Sequence, residues 1–166
     1  MVNLNSVHKP KKFDKSKFKK KKLTIELIPT TCYKKNVRSE YSKEVWDIIR
    51  KRAYLKAGYR CEICGGRGKK WAVECHEVFS YNQKTKVQKL EKLEAICPLC
   101  HKVKHIGRTK HQRVDYKKAI KHFCKVNNIT YEKAIEQVKI ALNIHRKRAL
   151  HEWKLDLTLI KENYDI

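Results

Sequence analysis

Two Cys-x-x-Cys pairs, "CEIC" (Cys61 and Cys64) and "CPLC" (Cys97 and Cys100), restrict how this chain can fold more than any other feature. Each pair is a tight turn that aims two thiolates at one point, and four soft sulfur ligands suit a tetrahedral structural Zn²⁺. The chain carries 7 cysteines, an odd number, and the paired spacing favours metal over disulfide in a reducing compartment. Cys32, Cys75 and Cys124 remain and read as small buried apolar residues. Gly65, Gly66 and Gly68 follow the first pair, consistent with backbone amides folding round its sulfurs. The segment between the pairs is longer than a usual zinc-ribbon spacer, so a further unit is built inside it.

That insert opens with "WAVECHEVF", rich in strand-favouring residues, followed by the polar turn "SYNQKT" and a second expected strand around residues 87–90. The run "CHKVKH" after the second pair is expected to be helical. His101 and His105 then share one helix face a turn apart, the spacing at which two imidazoles meet one metal. A third ligand must come from outside that helix, and His76 on the hairpin is the candidate.

The 166 residues allow one modest core with extensions and exclude two large domains. The spacing predicts a helix over 42–57, with Ser42 as N-cap, Val45, Ile48, Ile49 and Ala53 on one stripe, and Gly58 as its stop. Two further helical patterns, "DYKKAIKHFCKVNN" and "TYEKAIEQVKIALNIHRKRALHEW", place Tyr116, Ala119, Ile120 and Phe123, then Tyr131, Ile135, Val138 and Leu142, on ordinary core faces. "LTIELIP" alternates at period two, with Ile25 and Leu27 on one face, and "WKLDLTLI" does so through Trp153, Leu155, Leu157 and Leu159. Both read as strands whose pairing would tie the chain ends together. The expected class is α+β: a basic arm over 1–22, a strand and connector over 23–41, a zinc-stabilised unit over 42–108, and a helical extension over 109–166 ending in a candidate strand.

Lys and Arg number 41 against 17 Asp and Glu, a formal charge of +24. That exceeds what solubility needs and repels itself unless an anionic partner is near, so nucleic acid is the expected partner. The arm has too few apolar residues to fold alone and is expected to order against such a partner. Lys69, Lys70, Lys84, Lys86, Lys102, Lys104 and Arg108 lie close in sequence to the insert and are candidate phosphate contacts, which position a backbone without reading bases. Arg38 is a further candidate guanidinium, while Trp71 reads as core rather than as a stacking surface. No run reaches membrane-spanning length and no early apolar stretch suits a secretory signal, so the expected location is cytoplasmic, without a membrane partner. The sequence specifies no protein partner.

With "VECHEV" on the first strand and "LEAICPLCHKVKH" running into the helix, residues 42–108 resemble the HNH endonuclease family, the ββα-metal or His-Me finger nucleases. The resemblance implies a ββα-metal core, a divalent ion such as Mg²⁺ or Mn²⁺ held by His76, His101 and His105, and phosphodiester hydrolysis leaving a 5′ phosphate. Two positions depart from the family pattern. Glu77 stands where the family usually carries its general-base histidine, and Lys92 stands where its asparagine would be. A glutamate can accept a proton from water if burial raises its pKa towards neutrality, so Glu77 is the implied base. An alternative register makes His76 the base, with Glu74 or Glu77 as a carboxylate ligand. Asn82 is a candidate replacement for the missing amide, though a turn asparagine needs no such role. Two other classes fit the same residues. One is a zinc-stabilised nucleic-acid-binding protein without activity, favoured by Glu77 and Lys92. The other is a structural component of a nucleoprotein assembly, favoured by the lysine-rich arm.

Overall fold

The structure, a computed structural model, describes residues 18–109 and 113–164. Among these the fold is α+β. A short helix α1 (Val37–Glu40) and the longer α2 (Lys43–Lys56) lead to the hairpin of β1 (Glu74–Asn82) and β2 (Val87–Ile96). Next come α3 (Pro98–Lys104), α4 (Ile106–Thr109), α5 (Arg113–Asn127) and α6 (Tyr131–Arg148), then β3 (Lys154–Asp156) and α7 (Thr158–Asn163). The sheet order is β1-β2-β3, with β1 and β2 antiparallel and β3 parallel to the start of β2.

Helix α2 starts and stops where its sequence dictates. The Ser42 hydroxyl accepts from the Val45 N–H at 3.3 Å, and the chain leaves the helix through Gly58 at φ +58°, a conformation that costs a glycine little. The hairpin turns through Asn82, whose side-chain oxygen accepts from the Lys84 and Thr85 N–H groups at 2.9 and 3.1 Å. Asn82 is therefore occupied by the turn itself.

Alternation along β1 and β2 splits the molecule into two cores. Cys75, Phe79 and Leu93 pack with Val37, Trp46, Ile49, Leu90, Leu157 and Ile160 on the α2 side. The other core gathers Leu23, Ile63, Ile96, Val103, Ile120 and Phe123, joining the first Cys pair to α3 and α5. Phe123 is fully buried, and its truncation to alanine is worth about 3–5 kcal/mol.

Four expectations of the fold need correction. Residues 23–29 form no strand among the described residues, because their backbone is claimed from elsewhere. Leu23 exchanges hydrogen bonds of 2.9 and 2.8 Å with the Asn127 side chain, and the Glu26 N–H donates to the Lys104 carbonyl at 2.9 Å. The C-terminal alternation is a strand only over Lys154–Asp156, and it pairs with β2 rather than with the N-terminal segment. Asp156 ends it by accepting from the Thr158 N–H (2.9 Å) and hydroxyl (2.6 Å), which starts α7. Trp71, expected in the core, is 61% exposed, with the Lys70 ammonium 5.6 Å from its ring centroid. The second strand also runs further than expected, to Ile96. The basic arm lies outside the described residues apart from 18–22.

Candidate metal centres and cleft

Cys61, Cys64, Cys97 and Cys100 converge, with all four sulfurs within 4.8 Å of one another. Cys64 Sγ and Cys97 Sγ are 3.7 Å apart, close to the ~3.8 Å edge of a tetrahedron with Zn–S bonds of about 2.3 Å. Backbone amides fold round the sulfurs: Cys64 N–H to Cys61 Sγ at 3.5 Å, Gly66 N–H to Cys64 Sγ at 3.4 Å, and Cys100 N–H to Cys97 Sγ at 3.5 Å. Gly65, at φ +73°, makes the first turn possible. Hydrogen bonds within the cluster, from Cys100 first, hold the Cys61 and Cys64 thiols below the ordinary range, while Cys97 and Cys100 are pushed above it, as expected of four thiols sharing protons. The knuckle is fixed to β2 by Glu62, whose N–H donates to the Ala95 carbonyl (2.9 Å) and whose carboxylate accepts from the Ala95 N–H (2.8 Å). His122 on α5, unnoticed in the sequence, brings Nε2 to 3.2 Å from Cys100 Sγ. The donor set and spacing suggest a structural zinc.

A second group lies on the neighbouring hairpin and helix. His76 on β1, His101 on α3 and His105, the residue that caps α3, have ligand nitrogens within 4.8 Å of one another. Their ring centroids are 4.9 to 5.4 Å apart. Burial lowers the pKa of His76, against an opposing pull from Glu26. For His105, burial and then its two histidine neighbours bring it down to about 3. Burial thus favours the neutral, lone-pair form of both His76 and His105, the form a metal ligand needs. With His101 they make three donors that can hold one divalent ion.

Two of the three rings are braced by carboxylates. His76 Nε2 lies 2.7 Å from Glu26 Oε2, and His101 Nδ1 lies 2.6 Å from Glu74 Oε2. That leaves Nδ1 of His76 and Nε2 of His101 for a metal, an arrangement common around metal-bound histidines. Burial works against the Glu26 carboxylate, but the His76 hydrogen bond and the Lys104 ammonium outweigh it and bring its pKa down to about 2. Glu74 is lowered by its bond to His101. Glu26 had no signal in the sequence, where its segment read only as a strand.

The histidines open into a cleft of about 1050 Å³. Arg38, Lys43, Arg50, Lys102 and Arg108 line its walls. Arg50 is paired with Asp47 at 2.7 Å and Lys102 with Asp115 at 2.6 Å, while the Arg38 guanidinium sits 5.8 Å from the Trp46 ring centroid. The α2 contribution was legible but passed over: Lys43, Trp46, Asp47, Arg50 and Tyr54 recur at helical spacing on one face and all reach the cleft.

The other expected phosphate contacts divide. Lys69 and Lys70 are exposed in the loop before β1. Lys84 and Lys86 sit at the far end of the hairpin, roughly 20 Å along the strand from His76 at about 3.3 Å per residue. Lys104 is 3% exposed, bound to Glu26 and lying 3.5 Å from Glu94, so it braces the interior instead of facing a phosphate. Lys92, at the expected amide position, pairs with Glu94 at 2.5 Å. Glu77 lines the cleft, its Oε1 accepting from the Val37 N–H at 2.6 Å, and burial raises its pKa. Cys32 is buried, whereas Cys75 and Cys124 are partly exposed.

What the described residues define is an α+β protein in which a four-cysteine cluster stands beside a hairpin-and-helix unit carrying three convergent histidines. No helix among them is long and apolar enough to cross a membrane. No protein-family model matches the chain, and no curated protein or solved structure matches it either.

Proposed function

We propose that this chain is a metal-dependent endonuclease of the HNH type, hydrolysing phosphodiester bonds in nucleic acid, with DNA favoured. The observation that carries the reading is the convergence of His76, His101 and His105, from a hairpin and the helix after it, in a cleft walled by cations. Three imidazoles make a nitrogen donor set that suits an ion such as Zn²⁺ or Ni²⁺ better than Mg²⁺, which prefers oxygen ligands, with Mn²⁺ between them. When bound, the ion supplies charge neutralisation at the phosphate and stabilises the leaving oxygen.

The rest falls to side chains of the cleft. Arg38, Lys43 and Arg108 hold phosphates on either side of the scissile one. Of the carboxylates lining the cleft, Asp47 is tied to Arg50 and Glu74 to His101, whereas Glu77 takes its hydrogen bond from a backbone amide on Oε1. Its Oε2 is left to orient a water and accept its proton, which makes Glu77 the general base. The same Val37 contact favours a second reading, a nucleic-acid-binding protein without activity in which Glu77 serves to anchor α1.

The test is cleavage of supercoiled plasmid, single-stranded DNA and single-stranded RNA by wild type and Glu77→Gln, with Mn²⁺, Mg²⁺ or chelator. The endonuclease reading expects ion-dependent cleavage that falls about 10²–10⁴-fold in Glu77→Gln. Tight binding without cleavage under either ion would hand the chain to the second reading.

A further inference from the structure

Glu26 comes from the segment before the hairpin unit, yet its carboxylate ends at the metal centre. The backbone explains how it gets there. Its N–H donates to the Lys104 carbonyl at 2.9 Å, and three residues earlier Leu23 is held at both its N–H and carbonyl by Asn127 of α5. The segment is thus strapped across the ends of two helices before the side chain is placed.

Both oxygens of the carboxylate are engaged. Oε2 lies 2.7 Å from His76 Nε2, while Oε1 accepts from the Thr24 hydroxyl at 2.7 Å and from the Lys104 ammonium. Lys104 is the residue between Val103 and His105 on the helix that supplies the other two imidazoles, and its ammonium also faces Glu94, the cross-strand neighbour of His76. His76 is 2% exposed and Lys104 3%, whereas the Glu26 side chain is 27% exposed, so the carboxylate reaches from the rim onto two buried partners that would lose a hydrogen bond without it. One carboxylate therefore links the strand that carries His76 to the helix that carries His101 and His105. Glu26 is not among the residues whose ligand atoms form the three-histidine group, so its part is played through His76.

We infer that Glu26 is a positioning residue of the metal centre: it holds the His76 ring with the proton on Nε2 and Nδ1 presented to the ion, and sets that ring's distance from the two helix ligands. The role rests on the metal-centre reading above, but not on what the centre cleaves. Removal of such an outer carboxylate typically weakens metal binding by about 10–100-fold. The isosteric Glu26→Gln keeps the shape and loses the charge; Glu26→Asp keeps the charge and withdraws it by one methylene.

The experiment is Co²⁺ titration of the full chain with its cysteine site filled by zinc, following the visible absorption of the histidine-bound ion in wild type, Glu26→Gln and Glu26→Asp. Zinc content and a thermal melt accompany each protein. The expected result is one Co²⁺ site in wild type, weakened about 10–100-fold in Glu26→Gln with zinc content unchanged, and weakened less in Glu26→Asp. Should Glu26→Gln lose the fold, Glu26→Asp alone decides, since a purely structural carboxylate would leave Co²⁺ affinity and spectrum as in wild type. Equal affinity and spectrum in the folded variants overturns the role while leaving the nuclease reading standing. The expected weakening in a protein that cuts no nucleic acid supports the role and removes the nuclease reading. A wild type that binds no Co²⁺ beyond the cysteine site overturns both.

Discussion

The two candidate metal groups lie within one small unit and are built in opposite ways. The cysteines close on themselves: their loops turn back immediately, backbone amides point at the sulfurs, and the Cys64–Cys97 spacing of 3.7 Å already suits a tetrahedron. The histidines are gathered from two elements, braced from outside by Glu26 and Glu74, and face a cleft of about 1050 Å³ lined with cations. Closed four-thiolate sites hold folds together, whereas three-ligand sites that open onto a cleft leave a coordination position for a substrate or water. On the reading proposed above, the closed group would serve stability and the open group chemistry, and substitutions should separate the two demands.

The largest effect is expected in the closed group. Cys97→Ser removes a member of the four-cysteine group that also caps α3, and because metal binding in such sites is folding free energy, the unit should lose its cooperative melt together with any zinc. Circular dichroism with metal analysis would show it; a folded, zinc-loaded variant would mean the cysteines do not clamp the fold.

Next comes the open group. His101→Ala should leave the melt and the zinc content near wild type while cleavage falls on the order of 10³-fold, the rate equivalent of several kcal/mol of lost charge stabilisation. If this change unfolds the protein as Cys97→Ser does, the distinction between the groups collapses. Glu74→Gln sharpens it further. By weakening the brace on His101 it should lower affinity for the second ion by about 10–100-fold without touching the zinc, as metal titration would report.

The smallest effects belong to the cleft walls. Arg38→Ala and Lys43→Ala should each weaken binding to any sequence and reduce the slope of log affinity against log salt by about 1 per lost phosphate contact. Binding measured at several salt concentrations checks this, and an unchanged slope would place the nucleic acid elsewhere on the surface.

Local signals carried well from sequence to structure. Ser42 and Gly58 bracket α2, the two Cys-x-x-Cys turns meet, and the spacing of His101 and His105 places both beside His76. What failed was whatever depended on distant partners. Period-two alternation in residues 23–29 signals extended backbone but not its hydrogen-bond partner, which proved to be Asn127 and Lys104 rather than another strand. "LTLI" near the C-terminus alternates equally well, yet a turn in which Asp156 accepts from Thr158 leads it into α7. Lys104 looked like one more basic surface residue because nothing near it in sequence announces the carboxylates of Glu26 and Glu94. Trp71 departs from expectation for the opposite reason: aromatic residues are usually covered, whereas this ring is 61% exposed beside the Lys70 ammonium.

The most direct test of the two-centre account is a graded chelator titration of the purified protein, reading metal content, helical signal and plasmid nicking on the same samples, followed by return of Mn²⁺. The account predicts that one exchangeable ion leaves first and takes nicking with it, while one zinc and the fold persist, and that Mn²⁺ restores nicking. Loss of nicking, zinc and helical signal in a single step, or a protein that holds only one ion throughout, would contradict it.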